Sequence, residues 1–268
     1  MKVILSRKGM DSKAGGIPSP ILPDGTLLSF PIPDGTSGIA YEDLYYKNHS
    51  YAEIIRQLSP NFDFSKNPTC HLDPDIYDGL GGRIGRWNPA YGQCGASASH
   101  LDTMDVGQGD LFLFYGMFKQ AEYRQNGELS YVRGTPIQHI IYGYMKIGEI
   151  LHSQEEMCKL CPHHPHSVNP HRANNRLYLP DTYGTFMYRT ELVLTKPGQD
   201  KRRLWALPSF FAENDISISW QGKNRPILCG EYAELLSACI GQEFVITANT
   251  EDMEKKLEMW VDSLINCN

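Results

Sequence analysis

Leu111-Phe112-Leu113-Phe114-Tyr115-Gly116 is an unbroken apolar run closed by a glycine, and its reading decides the fold. A continuous apolar run this short, bounded by turn residues, is a strand buried on both faces. Gly107-Gln108-Gly109-Asp110 supplies the turn that leads into it. A second run, His139-Ile140-Ile141-Tyr142-Gly143-Tyr144-Met145-Lys146-Ile147-Gly148-Glu149-Ile150, follows beyond the tight Asn126-Gly127 turn. Glycines inside such a run mark bulges or barrel corners.

Working outward, residues 2–6 read as a short buried strand that opens the fold. Residues 20–31 read as a hairpin, turned at Pro23-Asp24-Gly25 because proline presets φ and glycine accepts φ > 0. Residues 187–195 read as a strand, and 209–211 with 216–220 close the β region. Residues 41–58 read as helical, with Ser50 capping a turn that starts at Tyr51 and carries Glu53. Residues 231–239 read as a helix. A C-terminal helix is capped by Asn249, with Asp252 at the capping-box position, and packs by Met253, Leu257, Trp260, Val261 and Leu264. Residues 59–104 read as irregular, and 152–182 as polar and histidine-rich. The expected class is α+β: a central mixed or antiparallel barrel-like sheet with flanking helices and long functional loops.

A chain of 268 residues fits one domain, or a polar-site lobe over 1–105 and a barrel lobe with the C-terminal helix over 106–268. The net charge of -6 excludes a basic nucleic-acid coat, so any contact with nucleic acid must use a local patch or a narrow pocket. No stretch approaches the roughly 20 apolar residues of a membrane span, and the opening apolar run is too short for a signal-peptide core. Seven cysteines without framework spacing point to reduced thiols and a cytoplasmic address.

Five groups of side chains could carry chemistry. Arg7, Lys8 and Asp11 follow the first strand among glycines, where Arg and Lys could hold a phosphate or carboxylate; the plain alternative is a solvated loop. His71, Asp73 and Asp75 alternate, which puts them on one side of an extended segment as ligands for a divalent ion or as an acid–base set; the alternative is an Asp-Pro turn. Arg83, Arg86 and Trp87 suit a base or phosphate, or are a core tryptophan with surface arginines. Gln93, Cys94 and His100 offer an approachable thiol and a base, against the commoner small core cysteine. Cys158 and Cys161 with His163 and His166 have metal-like spacing, fitting a structural zinc, although the pairs lie closer than a zinc finger allows.

The opening Ile4-Leu5-Ser6-Arg7-Lys8-Gly9, then Gly15-Gly16-Ile17-Pro18-Ser19-Pro20-Ile21, resembles the third nucleotide modification associated domain family. So do His71-Leu72-Asp73-Pro74-Asp75, the stretch from Gln93-Cys94-Gly95 to His100-Leu101, and Gly109-Asp110-Leu111-Phe112-Leu113-Phe114. The resemblance covers most of the chain and implies a protein of nucleotide or DNA base modification, with no reaction or catalytic residues to carry over. Residues 107–150 are also similar to the strands of PUA-like barrels, including readers of modified bases.

Three readings follow. The first is an enzyme acting on a nucleotide or a nucleic-acid base, with Arg7, Lys8 and Arg83 orienting phosphate or sugar beside Asp11, His71, Asp73 and Asp75. The second is a non-catalytic reader of modified bases with a pocket beside Tyr115, Tyr142 and Tyr144. The third is a scaffold subunit. The first requires the Arg7–Asp11 and His71–Asp75 groups to meet. The partner is then a nucleotide or nucleic acid rather than a membrane. The reaction, substrate and oligomeric state are not encoded in any motif: dinucleotide, nucleophile-elbow and deaminase signatures are absent.

Overall fold

Gly116 does not end the strand that Leu111 begins. In the computed structural model, which describes residues 1–35, 38–83, 85, 87–169, 173–239 and 243–266, that strand runs on to Tyr123. Nine strands build the main sheet among the described residues: β1 (Val3–Arg7), β2 (Ser19–Ile21), β3 (Tyr91–Gln93), β4 (Leu111–Tyr123), β5 (Leu129–Tyr131), β6 (Gln138–Leu151), β7 (Arg176–Thr185), β8 (Ile216–Ile218) and β9 (Glu243–Ala248). Their order is β8-β9-β1-β4-β6-β7-β3, with β2 and β5 on further stretches of β4. β1 and β2 run parallel to β4, whereas the other pairings are antiparallel, so the sheet is mixed.

One edge of β4 is used twice. Leu111 to Tyr115 pair with β1, and Phe118 to Gln120 pair with β2. The chain leaves this edge after Lys8, whose N–H still donates to Tyr115 O at 2.8 Å, and returns at Ser19. Gly116 sits where it departs. A Cβ there would stand 2.7 Å from Lys8 O, so only glycine lets the backbone pass.

The glycines of β6 also have structural work. Phe114 pairs with Gly143 but Tyr115 with Ile141, which leaves Tyr142 as the extra residue of a bulge. A second irregularity spans Gly148, where a Cβ would meet Asp181 N at 2.7 Å. Bulges bend a sheet, and this one curls into a half-barrel. The largest apolar cluster, drawn from Val3 to Leu264, covers both faces, with Tyr91 packed on Phe112 and Phe114 and Trp205 on Tyr115 and Phe244. A second cluster, from Met10 to Leu129, packs under helix α1 (Tyr51–Leu58). Three further helices, α2 (Gly95–Thr103), α3 (Gln154–Leu160) and α4 (Pro165–Val168), flank the far edge, and α5 (Glu251–Ile265) buries Met253, Leu257, Val261 and Leu264.

Several local expectations change. Ser50 and Glu53 do form a capping box, but the helix starts only there, because Tyr45–Tyr46 and His49–Ser50 pair as short strands. Residues 232–236 are a strand paired with Leu204–Pro208, not a helix. Residues 190–192 and 209–212 are single 3-10 turns. Thr250, rather than Asn249, caps α5 by accepting from Met253 N.

The core carries an acid-sensitive pair. Trp205 Nε1 donates to His139 Nδ1 at 3.0 Å, and both residues are buried. Burial, reinforced by the charges of Arg202 and Arg7, pushes the His139 pKa down to about 3. The unfolded chain takes up this proton near pH ~6.5, and the native one does not until far lower. The unfolded state therefore binds more protons between those values, and stability is complete above the upper one and falls as pH drops towards the lower. The contribution is about 1.4 kcal/mol per pH unit. H139N keeps an acceptor for Trp205 without that proton. Urea unfolding at pH 7, 6 and 5 should show a slope one proton shallower in H139N; parallel slopes would refute the assignment.

Candidate active site

The curl of the sheet assembles the site. Strand β3 lies at the far edge in pairing order, yet its side chains face back across the half-barrel onto β1 and β9. Tyr91 Oη lies 3.2 Å from Ser6 Oγ and donates to Glu243 Oε1 at 2.8 Å. Its ring packs 4.8 Å from Phe112 and 5.0 Å from Phe114. Gln93 Nε2 also donates to Glu243, which is 1% exposed. Lys8 completes the cluster, with Nζ 3.2 Å from Glu243 Oε1 and 4.6 Å above the Tyr91 ring. A buried lysine is tolerable only with such a partner. Glu243 and Tyr91 had no local signal beyond an acid heading the apolar run Phe244-Val245-Ile246.

Above this floor, the loop leaving β1 brings Arg7 and Asp11. They form a loose ion pair at 4.0 Å, and Asp11 turns its own loop by accepting from Lys13 N and Ala14 N. Opposite stands Asp73, whose carboxylate is buried among three histidines. Its Oδ1 accepts from Gly92 N at 2.7 Å and lies 3.4 Å from His164 Nε2. Its Oδ2 lies 3.7 Å from His71 Nε2 and 3.9 Å from His166 Nε2. Burial alone would raise the Asp73 pKa, but His164 and His71 outweigh it and hold the carboxyl well below the usual range. Burial is also the main influence on His166, whose pKa is pushed down to about 3.

A cavity of about 270 Å³ opens between these walls. Arg7, Lys8, Asp11, His71, Asp73, Gln93, Cys94 and His166 all line it. Cys94 is the residue before α2, at the end of β3. The other expected residues lie elsewhere. Asp75 turns away to Arg83, whose guanidinium is spent on Asp75, Leu80 O and Tyr77 O and stacks 4.2 Å from the Trp87 ring. These three residues, with Cys161 and His163, line a neighbouring cavity of about 260 Å³. His100 sits further along α2, 2.9 Å from Ser219 Oγ and against Trp220. Cys158 Sγ contacts Ser167 O and Gln154, so His166 meets His71 and Asp73 instead of the cysteines. Arg86 lies outside the described residues.

The model of the nucleotide modification associated domain 3 family matches residues 2–247. No curated protein and no solved structure matches the chain. No helix among the described residues is long and apolar enough to cross a membrane. The stretches that carry the resemblance, from Ile4 to Ile21, His71 to Asp75, Gln93 to Leu101 and Gly109 to Phe114, all fall inside the match, and the first three contribute walls of the cavity. The chain belongs to the nucleotide modification associated domain 3 family.

Proposed function

We propose that the chain is a cytoplasmic enzyme that modifies a nucleotide or a nucleic-acid base in the cavity between Arg7 and Asp73. One observation carries this reading: groups from residues 7–11, 71–73, 93–94 and 166, far apart in sequence, line one cavity. Cation and carboxylate face each other there. Arg7 and Lys8 suit the phosphate of a nucleotide, since cations form charge-assisted hydrogen bonds to it. Asp73, ionised and dry, suits acid–base or metal chemistry. The family's association with nucleotide modification supports the substrate class.

The rival, a PUA-like reader of modified bases, needs an aromatic pocket beside Tyr115, Tyr142 and Tyr144, and the half-buried Tyr144 ring is stacked on Phe186 at 5.4 Å. The Tyr115 and Tyr142 rings are buried in the core, and the cavity that touches Tyr142 measures about 30 Å³, too small for a base. That favours the enzyme.

Thermal-shift and calorimetric titration with nucleoside mono-, di- and triphosphates and with short DNA and RNA strands tests the proposal. At least one class should bind. R7A should weaken it about 10- to 100-fold, the loss expected for one charge-assisted contact. Absence of binding by every probe, or an R7A protein that binds like the wild type, would sink it.

A further inference from the structure

We propose that His71, Asp73 and His166 hold one divalent first-row transition-metal ion at the wall of the cavity. The positions of the imidazole protons point to it. Asn175 Nδ2 donates to His166 O at 2.8 Å, which fixes the amide with its oxygen towards His166 Nδ1, 2.7 Å away. That nitrogen must carry the proton, so His166 Nε2 presents a lone pair. His71 Nδ1 lies 3.0 Å from Asp34 Oδ2, a carboxylate that only accepts, so His71 Nε2 presents a lone pair as well. His164 is the opposite case. Its Nδ1 accepts from His166 N at 3.2 Å, so its Nε2 carries the proton and faces Asp73 Oδ1.

With both rings neutral, two imidazole lone pairs and a carboxylate oxygen converge on one point. The three donor atoms lie within 4.8 Å of one another, and Asp73 is 4% exposed in its side chain. Electron pairs facing one another in a buried wall repel unless a proton or a metal ion joins them, and with two imidazoles and one carboxylate a single metal ion satisfies all three at once. Metal–ligand bonds of about 2.0–2.2 Å put donors roughly 3–3.4 Å apart, so each Nε2, at 3.7 and 3.9 Å from Oδ2, closes on it by less than an ångström, and the two imidazole nitrogens draw in from within 4.8 Å of each other. Asp34 and Asn175 are the outer partners that ligating histidines require, and Gly92 N holds the second carboxylate oxygen, with His164 Nε2 3.4 Å from it. Two imidazoles with one carboxylate select transition metals over magnesium or calcium. Three protein ligands leave the remaining positions open towards Arg7, Asp11 and Cys94, which line the same cavity.

This inference stands whether or not nucleotides are the substrate. The test uses EDTA-stripped full chain, titrated with Zn²⁺ by calorimetry and with Co²⁺ by visible absorption. One ion per chain should bind. H71Q and H166Q should each weaken it more than a hundredfold with circular dichroism unchanged, and N175L should weaken it about 10- to 100-fold, as outer-partner changes do. C158S/C161S should bind as the wild type does. No stoichiometric uptake by the folded wild type overturns the site, as does uptake that survives H71Q and H166Q but vanishes in C158S/C161S. The nucleotide panel run on the same stripped and reloaded protein separates the two readings. Nucleotide binding without metal uptake sinks only the ion, and metal uptake without nucleotide binding sinks only the modification reading.

Discussion

Replacing Glu243 with alanine lowers the unfolding free energy by about 3–5 kcal/mol, the cost of breaking a buried ion pair from one side. Glu243 Oε1 gathers Lys8 Nζ, Tyr91 Oη and Gln93 Nε2, and the Lys8 side chain is 9% exposed. Alanine strands that ammonium on the face of the Tyr91 ring, where a cation–π contact replaces little of the lost carboxylate. It also leaves the Gln93 amide and the Tyr91 hydroxyl without their common acceptor. The double variant K8M/E243L removes both charges and should recover most of the loss, since paired apolar replacements are often neutral. Urea midpoints at unchanged m-value measure both. An E243A loss below about 1 kcal/mol, or no recovery in the double variant, would show that the pair does not hold the floor of the site.

Gly92 is the second sensitive point. Its N–H donates to Asp73 Oδ1, and a Cβ on it would stand 2.2 Å from His166 Cδ2 and 2.3 Å from its Cγ. G92A must push the imidazole or the strand aside. Either movement separates His166 from Asp73, and a displacement of about 1 Å in such a site costs on the order of a hundredfold. We expect G92A to fold with a loss of about 1–3 kcal/mol, the usual penalty of overpacking, and to bind Co²⁺ at least a hundredfold more weakly. A G92A protein with unaltered Co²⁺ affinity would mean that His166 is not a ligand.

The parts of the fold legible in the sequence were those with long, one-sided patterns. The run at Leu111, the glycine-broken strand at His139 and the apolar stripe of α5 announce themselves because burial is continuous over many residues. Residues 232–236 misled because only Ala233 and Leu235 are fully buried there, and two residues do not separate a period of 2 from one of 3.6. Their partner, Leu204–Pro208, decides the matter from a distance. Helix α2 was invisible for a similar reason: it buries only Ala98 and Leu101.

The site divides along the same line. Arg7, Lys8, Asp11, His71, Asp73, Gln93 and Cys94 were readable because each sits in a short cluster of polar and glycine residues, and all of them line the cavity. Extended alternation grouped Asp75 with them, but the strand ends at His71, and beyond it Asp75 bridges Ala90 and binds Arg83. In sequence His166 stands close to Cys158 and Cys161, which suggests a shared ion. Its actual neighbours are set by the β7–β3 ladder, which brings Gly92 against it. Asp34 and Glu243 act through partners distant in sequence, His71 for the first and Lys8, Tyr91 and Gln93 for the second, and no local pattern marks such residues.

The double use of one edge of β4 has a consequence for how this architecture can vary. Residues 9–18 form a detour whose departure and re-entry are both clamped to the same rail, so its exposed tip at Ser12 and Lys13 can change without unseating any rung, while Met10 stays buried in the second cluster and Asp11 at the cavity. Arg7, Lys8 and Asp11 stay anchored around the departure point, and only the tip beyond them is free to be rebuilt.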